Sequence, residues 1–231
     1  MLIHPPHRWN LTPTEVVALQ KELRAQVVLQ PLPDNIELVA GADISYNKFS
    51  DVIYAGIVVL RLPSLEVVTT SGIVTTTKFP YRSGLLSFRE TPPLLEAWKQ
   101  LTVRPDVLML DGQGIAHPRR FGIASHVGLL LNLPTIGCAK TLLVGKYEEP
   151  LEEAGNWSPL LHKDETIGAV LRTKNHVNPI YVSPGYLADI PSSIALTMRC
   201  VQGYRIPQPT RLAHLFVNAL RHGEDWIPPK N

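Results

Sequence analysis

Three carboxylates occupy positions in this sequence that suggest chemistry. Asp43 lies between small residues in the middle of an alternating apolar stretch, where an aspartate is unexpected. Asp111 follows the apolar run 107–110 and precedes a glycine-rich turn, so it should lie at the carboxyl end of a strand, where α/β sheets collect their ligands. Glu90 lies in the segment SFRETPP, just before a predicted helix. Taken singly, Asp111 could cap a turn and Glu90 could be a solvated surface acid.

These carboxylates would suit a metal centre if the fold brings them to one edge of a sheet. Grouped negative charges repel one another unless a hard cation binds them. Oxygen ligands without a cysteine or histidine cluster favour Mg²⁺, with Mn²⁺ as a substitute, over zinc. Such a centre fits a phosphodiester hydrolase, in which the metal activates water and stabilises the leaving oxygen. Spacing along the chain does not show whether the three converge.

The carboxylates must be positioned by a sheet that begins with three consecutive strands. The runs 36–46, 52–62 and 65–77 have the pattern of strands joined by short turns, which predicts an antiparallel meander. Alternation along the first strand places Ala40 and Ala42 on one face of the sheet and Asp43 on the other.

The rest of the chain alternates helices with strands, which predicts parallel pairing. A first helix should begin at Thr12, which forms a capping box with Glu15, and carry an apolar stripe as far as Val27. We expect 148–164 to be a surface excursion. The predicted fold is a mixed three-layer α/β sheet flanked by helices, in a single domain over residues 1–231. Further helices are predicted at 92–101, 121–133, 192–201 and 209–221, and strands at 107–110 and 135–139.

The composition is that of an ordinary globular domain. Of 231 residues, 45% are hydrophobic and 18% are charged, and the net charge of +2 permits a polyanionic partner without requiring one. No apolar run is long enough for a membrane span, and the start of the chain lacks the layout of a secretory signal, so we expect a cytoplasmic protein. Cys138 and Cys200 form no metal-binding motif, and we interpret both as reduced, buried side chains.

Five segments of the chain resemble, in this order, the motifs of the endonuclease V family: VAGADISY, PYRSGLLSFRE, DGQGIAHPRRFGIASHVGLLL, PTIGCAKTLLVGKY and GYRIPQPTR. Ordered matches over most of the chain make the resemblance specific. It implies a ribonuclease H-like core and hydrolysis of the second phosphodiester bond on the 3′ side of a deaminated purine such as deoxyinosine. By position, Asp43, Glu90 and Asp111 match the metal-binding acids of the family.

Two further residues gain a catalytic interpretation through this resemblance. Lys140 follows a predicted strand at the place where the family has a lysine that holds backbone phosphate or stabilises developing charge. Without the resemblance it would be an ordinary solvated lysine. His214 lies on the last predicted helix with Arg211 and Asn218 at helical spacing. The family places a metal-site or water-positioning group there, whereas a plain surface histidine is the alternative.

The resemblance also assigns residues to lesion recognition. Pro80 and Tyr81 match the start of the family's wedge, a loop that fills the gap left when the damaged base leaves the stack, although Tyr81 could instead be a core aromatic. Arg82 and Ser83 depart from the Pro-Tyr-Ile-Pro form of the wedge, which leaves the preference for DNA or RNA open. Turn geometry alone could explain the glycines among the residues that match the hypoxanthine pocket. These residues are Gly84, Leu86, Gly112, Ile123 and Gly137.

The leading hypothesis is a monomeric repair endonuclease that acts on deoxyinosine in DNA, with Mg²⁺ held by the three acids. The same chemistry on inosine-containing RNA is a close alternative. A third hypothesis, from another class, is a catalytically inert nucleic-acid-binding module on the same fold. Retention of the three acids and Lys140 argues against that module, because clustered negative charge does not help simple binding. A metal-dependent nicking assay separates the enzyme from the module.

Overall fold

Eight β-strands form one sheet in the computed structural model, which describes residues 7–48 and 50–229. The strands are β1 (Leu38–Tyr46), β2 (Val52–Arg61), β3 (Glu66–Thr76), β4 (Val107–Leu110), β5 (Thr135–Ala139), β6 (Trp157–His162), β7 (Glu165–Leu171) and β8 (Ile180–Tyr186). Their order across the sheet is β3-β2-β1-β4-β5-β8-β7-β6. Strand β4 pairs in parallel with β1 and β5, and the other pairs are antiparallel. The sheet is therefore mixed, as the sequence predicts.

Helices cover both faces of the sheet. They are α1 (Pro13–Leu23), α2 (Leu86–Gln100), α3 (Ile123–Leu131), α4 (Ile190–Arg199) and α5 (Gln208–His222). Helices α2 and α3 bury apolar side chains against one face, around Ala40, Ala42 and Leu108. Helices α4 and α5 pack on the opposite face, around Val39 and Met109. This arrangement confirms the predicted three-layer α/β fold, and alternation turns Asp43 toward the α5 face.

The start of α1 confirms the predicted capping box, but the helix is shorter than its apolar stripe. The N–H of Thr12 donates to Glu15 at 2.7 Å, and the N–H of Glu15 donates to the Thr12 hydroxyl at 3.4 Å. The helix ends at Leu23, and Val27 lies beyond it in extended backbone with φ −71° and ψ 120°. The apolar spacing that predicts α1 therefore extends four residues beyond the end of the helix.

The cysteines and the start of the chain both carry predictions about the protein's environment. Cys138 and Cys200 are free and buried, as predicted. None of the helices in the described part of the chain combines the length and the apolar character needed to cross a membrane. Residues 1–6, which hold most of the start examined for a secretory signal, lie outside the described residues.

Helix α2 begins earlier than the sequence predicts, and this changes the setting of Glu90. Proline costs about 3 kcal/mol in a helix interior and suits the first turn, which favours a start at Pro92. In the structure, α2 begins at Leu86 and includes Pro92 and Pro93. Buried side chains on both sides of the prolines, Phe88 among them, hold the helix against its neighbours, so tertiary packing outweighs local propensity. Glu90 is consequently held on a helix and not in a loop.

The sequence pattern does not predict the three strands β6, β7 and β8. Strand β6 lies within 148–164, so the expectation of a surface excursion is wrong for the second half of that stretch. Strands β6 and β8 contain Pro159 and Pro184, and proline usually marks a loop, a bulge or an edge strand. Here β6 is an edge strand, and the ladder between β5 and β8 has an irregular register beside Pro184. Both places accept a residue that lacks a backbone N–H.

Candidate active site

The parallel register of β1 and β4 places Asp43 and Asp111 side by side. Ala42 pairs with Leu110, the last residue of β4, so the next residue on each strand is an aspartate. The N–H of Asp111 continues the ladder by donating to the carbonyl of Ala42 at 3.3 Å. Two carboxylates therefore meet at one edge of the sheet although they are far apart in the chain.

Helix α5 adds His214 to this pair. Nδ1 of His214 lies 2.8 Å from Oδ2 of Asp43. One ligand atom from each of Asp43, Asp111 and His214 lies within 4.8 Å of the other two. The close approach of α5 depends on Gly41, where a Cβ would lie 1.8 Å from the carbonyl oxygen of Pro209. A glycine in β1 is thus required to bring His214 to the sheet edge.

A network of hydrogen bonds fixes the ring of His214. The Arg221 guanidinium and the Ser45 hydroxyl each donate to Oδ1 of Asn218 at 3.1 Å. Because arginine can only donate, these bonds identify which end of the Asn218 amide is the oxygen. Nδ2 of Asn218 then donates to Nε2 of His214 at 3.1 Å. The ring proton of His214 is consequently on Nδ1, which donates to Asp43.

Glu90 is coupled to the two aspartates through charge. Burial, together with the charges of Asp43 and Asp111, raises the pKa of Glu90 to about 8. Burial and the charge of Asp43 also raise the pKa of Asp111, against the opposing effect of Lys140. Glu90 lies outside the tight group that contains His214. The three carboxyl groups nevertheless share one field, in which negative charge is costly until a cation neutralises it.

Lys140 supplies a positive charge at the same edge. It follows β5, and its ammonium group donates to Oδ2 of Asp111. The Lys140 side chain is 36% exposed, so the ammonium group can also be approached from solvent. The carbonyl of Lys140 accepts a hydrogen bond from Arg205 at 2.9 Å, which anchors the backbone at this position.

The donor atoms of the centre suit a hard divalent cation. Asp43 and Asp111 offer carboxylate oxygens, and no cysteine of the described chain belongs to the cluster. Oxygen-rich sites of this kind favour Mg²⁺ or Mn²⁺. Oδ1 of Asp43 accepts the N–H of Ile44 at 2.8 Å, and Oδ2 accepts from His214. These bonds orient the carboxylate while leaving lone pairs for a cation.

A cavity of about 530 Å³ opens beside the acidic centre. Its wall includes Glu90, Asp111 and Lys140, so the cavity and the centre share residues. The cavity lies among α2, the start of α3 and the end of β5, on the α2 and α3 side of the sheet. Several residues assigned to lesion recognition also line it, namely Tyr81, Gly84, Leu86, Gly112 and Ile123.

The backbone at Gly84 is held by three donors. Gly84 has φ +75°, a conformation that favours glycine. Its carbonyl accepts from Gln20 Nε2 at 3.1 Å, His117 Nε2 at 3.0 Å and an Arg119 guanidinium N–H at 2.6 Å. Burial and the neighbouring Arg119 charge lower the pKa of His117 to about 4, so the ring is neutral. These contacts fix the end of the loop that presents Tyr81.

Two residues of the predicted recognition set lie outside the cavity wall. Pro80 is exposed beside Tyr81, which is itself 61% exposed and therefore not a core aromatic. Gly137 lies in β5, where a Cβ would be 2.5 Å from the backbone nitrogen of Gly114 and 2.6 Å from the carbonyl oxygen of Gly112. Gly137 thus allows β5 to pack against the turn after β4.

Several residues at this site are not predicted from the sequence. Ser87 and Gln113 line the cavity, and the Ser87 hydroxyl and Oε1 of Gln113 are buried without a partner among the described residues. Gln113 lies in the DGQG turn, two residues after Asp111, and this position in the sequence could have indicated that it belongs to the site. Asn218 was recognised only by its spacing, four residues after His214, which puts the two side chains on one helix face.

Comparison with known proteins identifies a family whose model matches this chain. The family model for Endonuclease V matches residues 21–215. An Endonuclease V from Myxococcus xanthus (strain DK1622) is 50% identical over 218 residues, which cover 94% of this chain and 93% of that protein.

Solved structures of the same family share the fold. The crystal structure of the Endonuclease V from Streptomyces avermitilis has a TM-score of 0.88 and 39% identity, covering 96% of this chain and 99% of that one. A crystal structure of Ciona intestinalis Endonuclease V contains a 24mer DNA with an inosine followed by a ribo-adenosine. It has a TM-score of 0.80 and 26% identity, covering 91% of this chain and 98% of that one.

Proposed function

Because the chain belongs to the endonuclease V family, we propose that it is a DNA repair endonuclease that hydrolyses the second phosphodiester bond on the 3′ side of a deaminated purine. One observation carries the assignment of this activity to a site. The cavity and the acidic centre share a wall, formed by Glu90, Asp111 and Lys140. When a base is held in the cavity, the backbone of its strand therefore lies next to the carboxylates. We also propose a single catalytic domain over residues 1–231, because the eight strands of the described residues form one sheet.

The cavity suits a base taken out of the stack. Its volume of about 530 Å³ falls within the ~300–1,000 Å³ typical of small-molecule sites. Helix α3 begins at the wall, and the N–H of Ala124 in its first turn already donates to the carbonyl of Gln113. The N–H of Ile123, a residue that lines the cavity, can donate to a purine carbonyl. Tyr81, exposed at the edge of the cavity, would fill the gap that the base leaves.

Asp43, Asp111 and Glu90 would hold the metal, and Mg²⁺ is the ion we propose, with Mn²⁺ as a substitute. Bound there, the ion would lower the pKa of the attacking water and would supply positive charge near the leaving oxygen. His214 keeps the Asp43 carboxylate in one orientation through its Nδ1 proton. Glu90, whose pKa is about 8 without a cation, would serve as a ligand in its deprotonated form.

Lys140 would act on the phosphate. Its ammonium group contacts Asp111, lines the cavity and is partly exposed, so a phosphate oxygen that approaches the centre can share it. Fixed positive charge at that point stabilises the negative charge that builds on the phosphate oxygens in the transition state. The lysine also offsets the acidic centre, which would otherwise repel the nucleic-acid backbone.

DNA is the proposed substrate, and inosine-containing RNA is the second candidate. The relative from Ciona intestinalis was crystallised with DNA that contains an inosine followed by a ribo-adenosine, so both kinds of sugar occur in the ligand of that protein. The substrate test therefore includes both DNA and RNA.

The decisive experiment offers matched oligonucleotides with one deoxyinosine, one inosine or no lesion, in Mg²⁺ or in Ca²⁺, and maps the nick. Mg²⁺ imposes tight octahedral geometry, whereas the larger Ca²⁺ coordinates loosely and positions attacking water poorly. We expect a nick at the second bond 3′ to the lesion in Mg²⁺, and binding without efficient cleavage in Ca²⁺. Cleavage that ignores the lesion, or equal rates in the two ions, would contradict the proposal.

A further inference from the structure

An exposed aromatic side chain on the α5 side of the centre carries a stacked arginine. The guanidinium carbon of Arg211 lies 3.7 Å from the centroid of the Tyr204 ring, and Tyr204 is 49% exposed. Arg211 donates to Oε1 of Gln208 at 3.3 Å and forms no ion pair with a carboxylate of the described chain. A cation without a counter-ion beside an exposed ring has the chemistry that contacts phosphate and stacks on a base.

This stack is attached to the acidic centre from two directions. Arg211 lies three residues before His214 on α5, so both side chains are on one face of that helix. Arg205, the residue after Tyr204, donates to the carbonyls of Lys140 and Pro179 at 2.9 Å. The loop with Tyr204 is therefore held by the same backbone that carries Lys140, and the ring has a fixed position.

The centre separates this stack from the cavity. The cavity lies on the α2 and α3 side of the sheet, whereas Arg211 belongs to α5 on the opposite side. Asp43 and Asp111 lie at the sheet edge between the two sides. A strand with its base in the cavity and its scissile bond at the edge continues past the edge toward α5. With the cleaved bond 3′ to the lesion, the continuing part is the 3′ part.

We propose that Tyr204 and Arg211 form a subsite for the nucleotides immediately 3′ of the cleaved bond. Arg211 contacts a phosphate, and the face of Tyr204 that Arg211 leaves open stacks on a base. This inference rests on the proposed function, because it uses the position of the cleaved bond. The subsite would hold the part of the strand that lies 3′ of the cleaved bond, on the opposite side of the centre from the recognised base.

The test measures binding in Ca²⁺ of deoxyinosine duplexes whose lesion strand has either a long 3′ arm or an arm that stops just past the cleaved bond. Wild-type protein should bind the long arm roughly 10-fold more tightly, the size of one base–aromatic stack. Tyr204→Leu should reduce this preference for the long arm, because only the Arg211 contact remains, and Tyr204→Phe should behave as wild type. Arg211→Gln should lower the slope of log affinity against log salt by about one on the long arm.

Arg61→Gln is the matched control for charge. Arg61 is exposed and pairs with Leu38, at the end of β1 remote from Asp43, so its removal should leave the salt slope unchanged. Equal binding of both arms by wild-type protein would overturn the subsite, whether or not the variants fold. A folded Tyr204→Leu variant that keeps the full wild-type preference for the long arm would also overturn it. Absence of any lesion-dependent binding by wild-type protein would instead overturn the proposed function, and this inference with it.

Discussion

Asn218 donates its side-chain amide to Nε2 of His214 at 3.1 Å and thereby leaves Nδ1 of the same ring to donate to Asp43. The amide orientation follows from Arg221, which can only donate to the oxygen end. A residue without direct contact with the acids thus sets the tautomer of the histidine that orients one of them. Partners of this kind usually affect a metal site almost as much as the ligands do.

Asn218→Leu should therefore weaken Mg²⁺ binding. The variant removes the donor to Nε2 and frees the His214 ring to rotate away from Asp43, so we expect roughly 10-fold lower affinity. Titration calorimetry of the free protein measures the affinity, and nitrogen NMR of the histidine ring measures the tautomer. Ser45→Ala, which leaves Arg221 bound to Asn218, should have a much smaller effect. Unchanged affinity and tautomer in a folded Asn218→Leu variant would contradict the role given to Asn218.

Asp111→Asn should abolish most cleavage without unfolding the protein. The change removes the charge of a proposed metal ligand at the sheet edge, and loss of a comparable electrostatic contribution costs at least roughly 100-fold in rate. Single-turnover rates in Mg²⁺ measure the effect, and thermal unfolding checks the fold. Asp51→Asn is the matched control, because Asp51 is an exposed acid just before β2. Near-normal turnover by folded Asp111→Asn would remove Asp111 from the centre.

Glu90→Gln should stabilise the metal-free protein at high pH while it abolishes cleavage. The folded pKa of Glu90, about 8, lies above its ordinary value of 4.5, so the folded state favours the protonated acid. The stability that this group contributes is complete below about pH 4.5 and is lost as the pH rises to about 8. Melting temperatures of metal-free wild type and variant across that range should diverge as the pH rises. Parallel curves would place Glu90 in an ordinary solvated setting.

His117→Gln should reduce the loss of stability in acid. The folded pKa of His117 is about 4, below its ordinary value of 6.5, because the ring is buried and lies near the Arg119 charge, and the hydrogen bond to the Gly84 carbonyl only partly opposes this lowering. Its contribution is complete above pH 6.5 and is lost as the pH falls toward 4. The shift corresponds to roughly 3 kcal/mol. Denaturant unfolding at several pH values compares the slopes, and an unchanged slope in the variant would show that another group titrates there.

Tyr81→Ala should weaken discrimination for the lesion more than it slows the chemistry. The exposed ring is proposed to replace a lost stacking partner, which contributes about 1–3 kcal/mol, so binding to lesion duplex should fall roughly 10-fold to 100-fold. The defect should shrink on single-stranded substrate, where less stacking is broken. Rates at saturating enzyme separate binding from chemistry. A collapsed rate from bound substrate, with unchanged affinity, would place Tyr81 in the catalytic machinery.

Much of the acidic centre could be predicted from the sequence because it depends on local order. Alternation along β1 determines that Asp43 faces away from Ala40 and Ala42, and the apolar run before Asp111 places that residue at the end of a strand. Ordered motifs identified the family that the comparisons then showed. These features follow from neighbours along the chain, so the linear sequence contains them.

Tertiary structure alone decided how the remaining groups meet. His214 is 171 residues from Asp43 along the chain, and α5 brings it there because Gly41 admits the backbone of Pro209. Glu90 lies on a helix because buried packing outweighs the local cost of Pro92, which no local pattern reports. Strands β6 and β8 form despite proline because an edge position and an irregular register accept it. In each case the deciding free energy comes from contacts between distant segments, and a residue's type and local spacing do not specify those contacts.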